Sequence, residues 1–174
     1  MFVGHAPAGY LLTGWIGQRW PTAFQFLPRR SLLALGILAS LLPDLDLLYF
    51  YTVDNRQHLH HSYWTHIPAF WLVVFGSLVT AGLALRSAKT VHLSLLTAVN
   101  VYAHLALDTV AGKIRWLYPF SSQDIVLVSV PATHGWWVLN FVLHWTFALE
   151  IALVLIALVA SQKSGRKGPR SGLS

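Results

Sequence analysis

The sequence predicts an all-α, polytopic helical membrane protein with four transmembrane helices and a shorter helix before them. Three observations carry that reading. Charged residues make up 10% of the 174 and hydrophobic residues 55%, whereas an average soluble domain is about 25% charged. The mean hydropathy is +0.56. Several stretches also reach the roughly 20 apolar residues that a helix needs to cross the hydrocarbon core. The same composition excludes a disordered chain, and the lack of Cys excludes a disulfide-stapled module or a Cys-based zinc finger.

Taken in chain order, residues 5–20 are short and Gly-rich, and read as a tilted crossing or a re-entrant helix. Residues 31–51 are long enough to span, but Pro43 removes a backbone donor and clashes with the preceding turn, which predicts a kink. Residues 67–85 and 138–160 are apolar apart from a few hydroxyl residues and, in the second, Asn140, His144 and Glu150. Residues 91–111 also span, although they carry Asn100, His104 and Asp108. Residues 1–160 therefore form a single helical membrane domain, followed by a basic, disordered tail at 161–174. Internal repeats are not found, and the N-terminus lacks the basic region of a cleavable signal peptide.

Orientation follows from Lys and Arg near span ends. If the tail is cytoplasmic, nine of the twelve basic residues lie on that side, and Arg56, Lys113 and Arg115 lie on the other. This predicts a cytoplasmic C-terminus, with loops 52–66 and 112–137 on the outer side. Trp64, Trp116, Trp136 and Trp137 then fall at outer span ends, where an interfacial aromatic belt is expected. The net charge of +6 is accounted for by topology, so no nucleic-acid partner is called for.

Of the six acids, Asp44, Asp46, Asp108 and Glu150 lie inside or at the ends of apolar segments. A carboxylate at membrane depth costs several kcal/mol unless it is paired, protonated or bound to metal. Asp44 and Asp46, in the run Pro43-Asp44-Leu45-Asp46, follow a helix break that lets both reach one site; helix capping explains one acid well and two poorly. His104 and Asp108 are four apart and share a helical face with Asn100, which suits two metal ligands, or a ligand and its orienter. A hydrogen-bonded pair joining two helices accounts for them equally well. His61 and His66 are five apart and cannot share a face, so they belong to a loop leading into a helix, with Thr65 as its cap. On the predicted topology these groups, with His5, His58, His60 and His134, gather on the outer side. Imidazoles beside carboxylates favour zinc over calcium or magnesium. His92, His144 and Glu150 read as interhelical hydrogen-bond partners, with Glu150 nearer the inner half.

Gly4-His5-Ala6, Pro43-Asp44-Leu45-Asp46, His61 with Thr65-His66, and His104-x-x-x-Asp108 followed by a Gly and Leu117-Tyr118-Pro119-Phe120 resemble the YdjM-type family of membrane-bound metal-dependent hydrolases. That family is similar in its His/Asp pattern to zinc-dependent phospholipase C. The resemblance covers residues 2–125 and implies metal ligands at His5, Asp44, Asp46, His61, His66, His104 and Asp108. The sequence departs from the pattern at Ser62, where an Arg commonly follows the first His, and at Ile67, where a Ser is frequent. Arg56, Lys113 and Arg115 are the remaining candidates for a phosphate clamp.

The expectation is an integral protein of the bacterial inner membrane that binds one or more divalent ions, most simply Zn2+. It would hydrolyse an ester or phosphoester of a lipid or lipid-linked substrate with metal-activated water. Asp44, Asp46 and Asp108 are the candidate catalytic residues, and Arg56, Trp64, Arg115 and Trp116 line the mouth for a headgroup. Two other functions fit the same residues: an ion- or proton-coupled transporter, and a membrane protein with a purely structural metal.

Overall fold

A computed structural model describes residues 3–58 and 60–165. Among the described residues seven α-helices follow one another: α1 (His5–Arg19), α2 (Arg29–Leu41), α3 (Asp46–Thr52), α4 (Pro68–Ala84), α5 (Ala88–Asp108), α6 (Trp137–Val142) and α7 (Phe147–Gly165). Short 3-10 turns at Pro43–Leu45, His60–Ser62 and Trp64–His66 carry the chain between them. Among the described residues there is no strand, only the isolated bridge between Ile114 and Ile125. The all-helical class stands.

The number of spans is lower than the sequence predicts. Two helices, Ala88–Asp108 and Phe147–Ser164, are long and apolar enough to cross a membrane, or three if the bent pair Arg29–Leu41 and Pro43–Thr52 is one broken span. The remaining stretches are cut short by local backbone chemistry. Pro68 opens α4 at a position where its missing N–H is harmless, and Arg86 at φ 52 turns the chain into α5, so α4 has 17 residues. At about 1.5 Å per residue that is roughly 25 Å, short of a ~30 Å hydrocarbon core. The 138–160 stretch breaks between α6 and α7, and α1 has 15 residues. The kink at Pro43 is present as a bend of 58°.

Helix α5 is the centre of the bundle and packs against α1, α2 and α4. Its N-terminus is capped by Ser87, whose hydroxyl accepts from the Thr90 amide at 3.3 Å. Leu96, Val101 and Leu105 are its fully covered apolar residues; the last two pack with Trp71 and Phe75 of α4. Helices α1 and α2 meet through small residues. A Cβ at Gly36 would run into Thr13, and one at Gly9 would run into Ser40, so the two backbones approach only because both positions are glycine. This close crossing brings the start of α1 beside the end of α2. By contrast, α7 is 6% buried across its spanning window, compared with 33% for α5. It continues through residue 165, and residues 166–174 of the expected tail lie outside the described residues.

Candidate metal centre

Three elements deliver four ligand atoms to one point. The turn at Pro43 presents Asp44, the turn at Trp64–His66 presents His66, and α5 presents His104 and Asp108 from adjacent turns of one face. One ligand atom from each of these four residues lies within 4.8 Å of the others. His104 Nε2 is 3.0 Å from Asp108 Oδ2, 3.5 Å from His66 Nε2 and 3.7 Å from Asp44 Oδ1. His66 Nε2 is 3.5 Å from Asp108 Oδ2 and 3.8 Å from Asp44 Oδ1. Four ligands at about 2.0–2.2 Å from a tetrahedral ion stand roughly 3.3–3.6 Å apart. The separations of 3.0–3.8 Å straddle that range, and the donor set can hold a metal ion.

The tautomers point the same way. His104 Nδ1 is 2.7 Å from the carbonyl oxygen of Ser40, which can only accept, so Nδ1 carries the proton and donates. In the neutral ring Nε2 is then the bare nitrogen, and it faces the cluster. His66 Nδ1 donates to Asp46 Oδ2 at 2.8 Å, which leaves its Nε2 toward the same point. The Thr65 hydroxyl donates to that Asp46 oxygen at 2.6 Å. An imidazole whose far nitrogen is held by a carboxylate or a carbonyl is the usual arrangement behind a metal-bound histidine.

The seven ligand positions named from the sequence thus divide into three groups. Asp44, His66, His104 and Asp108 converge. Asp46 is buried and orients His66 rather than facing the cluster centre. His5, the first residue of α1, donates from Nε2 to Asp108 Oδ1 at 3.0 Å and stacks on His104 with ring centroids 3.7 Å apart. His61 stands at the edge, with Nε2 3.5 Å from Asp108 Oδ2 and its side chain 24% exposed. It can come so close because residue 112 is glycine: a Cβ there would occupy the space of the His61 ring. Asp44, 21% exposed, and His61 mark the open side, while His66, His104 and Asp108 are sealed.

Other polar residues have separate tasks. Thr65 does not cap α4, whose N-cap is Ile67; its hydroxyl is used by Asp46. Asn100 donates from Nδ2 to the Thr13 hydroxyl and ties α5 to α1. His92 meets the Ala23 carbonyl, His144 the Thr146 hydroxyl, and His134 the side chain of Asn140. Glu150 lies in the first turn of α7 and accepts from the amides of Val3 and Gly4, beside His5. That puts it at the same end as the cluster, not in the opposite half as the hydropathy reading expected. The break before α7 shifts it there.

The four residues expected to line a substrate mouth have contacts of their own. Arg115 Nε donates to Asp124 Oδ1 at 3.1 Å, and Arg56 lies over the Tyr51 ring. Trp116 donates to the Thr109 hydroxyl, one residue beyond Asp108, and Trp64 is exposed and packs edge-on against Phe70. None of these described contacts reaches the tetrad.

The model of the YdjM inner membrane protein family matches residues 1–167. The chain belongs to that family. The match takes in every residue of the cluster and all of α7, and agrees with the family resemblance drawn from the His and Asp motifs. Among curated proteins and solved structures, nothing matches the chain.

Proposed function

We propose that this YdjM-family protein is a membrane-embedded, metal-dependent hydrolase acting on an ester or phosphoester of a lipid or lipid-linked substrate. The observation that carries the reading is the tetrad itself: two imidazoles and two carboxylates at mutual distances suited to a tetrahedral ion, both imidazoles with their far nitrogens held. Mixed nitrogen and oxygen ligands in this geometry favour Zn2+. The chemistry such an ion supplies is Lewis-acid polarisation of a phosphoryl or carbonyl oxygen and activation of water near neutral pH.

The protein's own groups take distinct parts. His66, His104 and Asp108 would hold the ion in the sealed interior. Asp44 completes the set on the open side, where a carboxylate also accepts a proton from water. His61, half-open at the edge of the cluster near Asp108, would pass a proton to a leaving group. Asp46 and His5 keep His66 and Asp108 in position. A lipid substrate is favoured because exposed aromatic and apolar side chains, including Leu45, Leu48 and Trp64, surround the turns that carry Asp44 and His66. The skew of Lys and Arg supports a cytoplasmic C-terminus and a site toward the outer face.

Metal analysis of the protein purified in detergent tests this directly. One equivalent of zinc or a similar ion is expected, lost in His104→Ala and Asp108→Ala, together with turnover of phospholipid in mixed micelles. A protein that takes up no divalent ion under metal-retaining conditions would sink the reading. Metal-dependent ion flux without turnover would replace the hydrolase with a transporter. Reporter fusions at the tail and in loop 112–137 test the orientation.

A further inference from the structure

Glu150 is 4% exposed, on a helix that is otherwise barely packed into the bundle. Its Oε2 accepts from the Val3 amide at 2.6 Å and from the Gly4 amide at 3.1 Å. Gly4 is the N-cap of α1 and has no side chain with which to satisfy the first amides of that helix. A carboxylate from α7 instead takes the N-cap amide of Gly4 and the Val3 amide before it, and its negative charge sits at the positive end of the α1 dipole. The next residue in the chain is His5. Its ring is positioned by one hydrogen bond to Asp108 and by stacking on His104, and its Nδ1 has no hydrogen-bond partner among the described residues. Where the ring rests therefore depends on where the backbone of residues 3–5 is held.

We infer that Glu150 is a positioning residue for the metal centre, acting through His5: α7 clamps the N-terminus of α1, and His5 in turn fixes the Asp108 carboxylate. The inference rests on the metal-centre reading above, but its geometry does not require an ion to be bound.

The test combines metal affinity with the state of the His5 ring. Glu150→Ala is expected to weaken Zn2+ binding by about tenfold, in the range of outer-shell changes. Glu150→Gln keeps an oxygen acceptor and should restore most of that loss. In a His5→Ala background Glu150→Ala should cost no further affinity, because both changes break one chain of contacts. Independently of metal, the imidazole NMR signal of His5 in the metal-free protein should move in Glu150→Ala and stay near its original position in Glu150→Gln. If Glu150→Ala does not fold, Glu150→Asp, one methylene shorter, takes its place with the same expected movement. An unchanged His5 signal, or an equal affinity loss with and without His5, would overturn the positioning role. If the unmutated protein binds no metal, the proposed function fails, and the His5 signal alone decides the clamp.

Discussion

Two His/Asp pairs with identical sequence spacing behave in opposite ways. Asp54 and His58 are four apart and meet at 2.7 Å; His104 and Asp108 are four apart and meet at 3.0 Å. The first pair closes on itself. His58 gives both its ring Nδ1 and its backbone amide to Asp54, and its ring is 66% exposed. In the second pair the Asp108 carboxylate also receives His5 and approaches His61 and His66, from three other elements, at 1% exposure. Spacing alone gives a local contact. What distinguishes a candidate metal centre is convergence from elements far apart in the chain, in a place where water cannot satisfy the groups instead.

The largest effect should come from removing the carboxylate that the second pair shares. Asp108→Ala leaves four imidazoles without their common anion, and bound metal is expected to disappear with turnover. Asp54→Ala, the same change in the first pair, should leave metal content at one equivalent. Metal analysis of the two variants side by side checks the comparison; equal losses would mean that the buried cluster has no special role.

A smaller effect is expected behind the ligands. Asp46→Ala frees the far nitrogen of His66 and deprives the Thr65 hydroxyl of its acceptor. Zn2+ affinity should fall by about 10–100-fold, with the ligands still in place. A competition titration with a chromophoric chelator measures it, and unaltered affinity would show that His66 is held by packing alone.

Gly112→Ala should act mainly on the open side, its Cβ also coming within 3.0 Å of the Asp108 carbonyl oxygen. The new methyl competes with the His61 ring, so His61 moves off Asp108 while the tetrad persists. Metal content is expected to stay near one equivalent and turnover to drop by about tenfold or more, the usual span for a lost proton donor being 10²–10⁴. If both fall together, His61 is a ligand rather than a proton carrier.

Much of the site is legible in the residues themselves. Histidines and carboxylates are costly at membrane depth, so their presence in or at the ends of apolar segments marks Asp44, Asp46, His104 and Asp108 by type alone. The α5 periodicity placed His104 and Asp108 on one face. His61 and His66 are not on a common helix face, and it is a pair of 3-10 turns that brings their rings to 4.9 Å. The divisions within the site were not legible. That Asp46 serves His66 while Asp44 faces the centre depends on the 58° bend, and that Arg115 is engaged by Asp124 depends on the bridge between Ile114 and Ile125. Glu150 was misplaced for a related reason: hydropathy runs smoothly through residues 138–160, while the helix itself breaks before Phe147. The same blindness to breaks inflated the span count.

The exposed pair supplies the smallest prediction, a pH dependence confined to it. The Asp54 carboxyl is held down to about 2 by the Tyr63 hydroxyl beside it and by His58. A carboxyl whose pKa is lower folded than unfolded stabilises the fold above the unfolded value, near 3.8. That contribution is lost as the pH falls from there through about 2. Thermal unfolding of the unmutated protein and of Asp54→Asn, followed from pH 5 downward, should therefore show a small gap that closes below about pH 4. Metal content measured at pH 5 and above should not differ between the two, since the pair is satisfied locally and sends nothing to Asp108. A gap undiminished from pH 5 to pH 2, or a loss of metal in Asp54→Asn, would mean that the loop carrying His58 and the buried cluster are coupled after all.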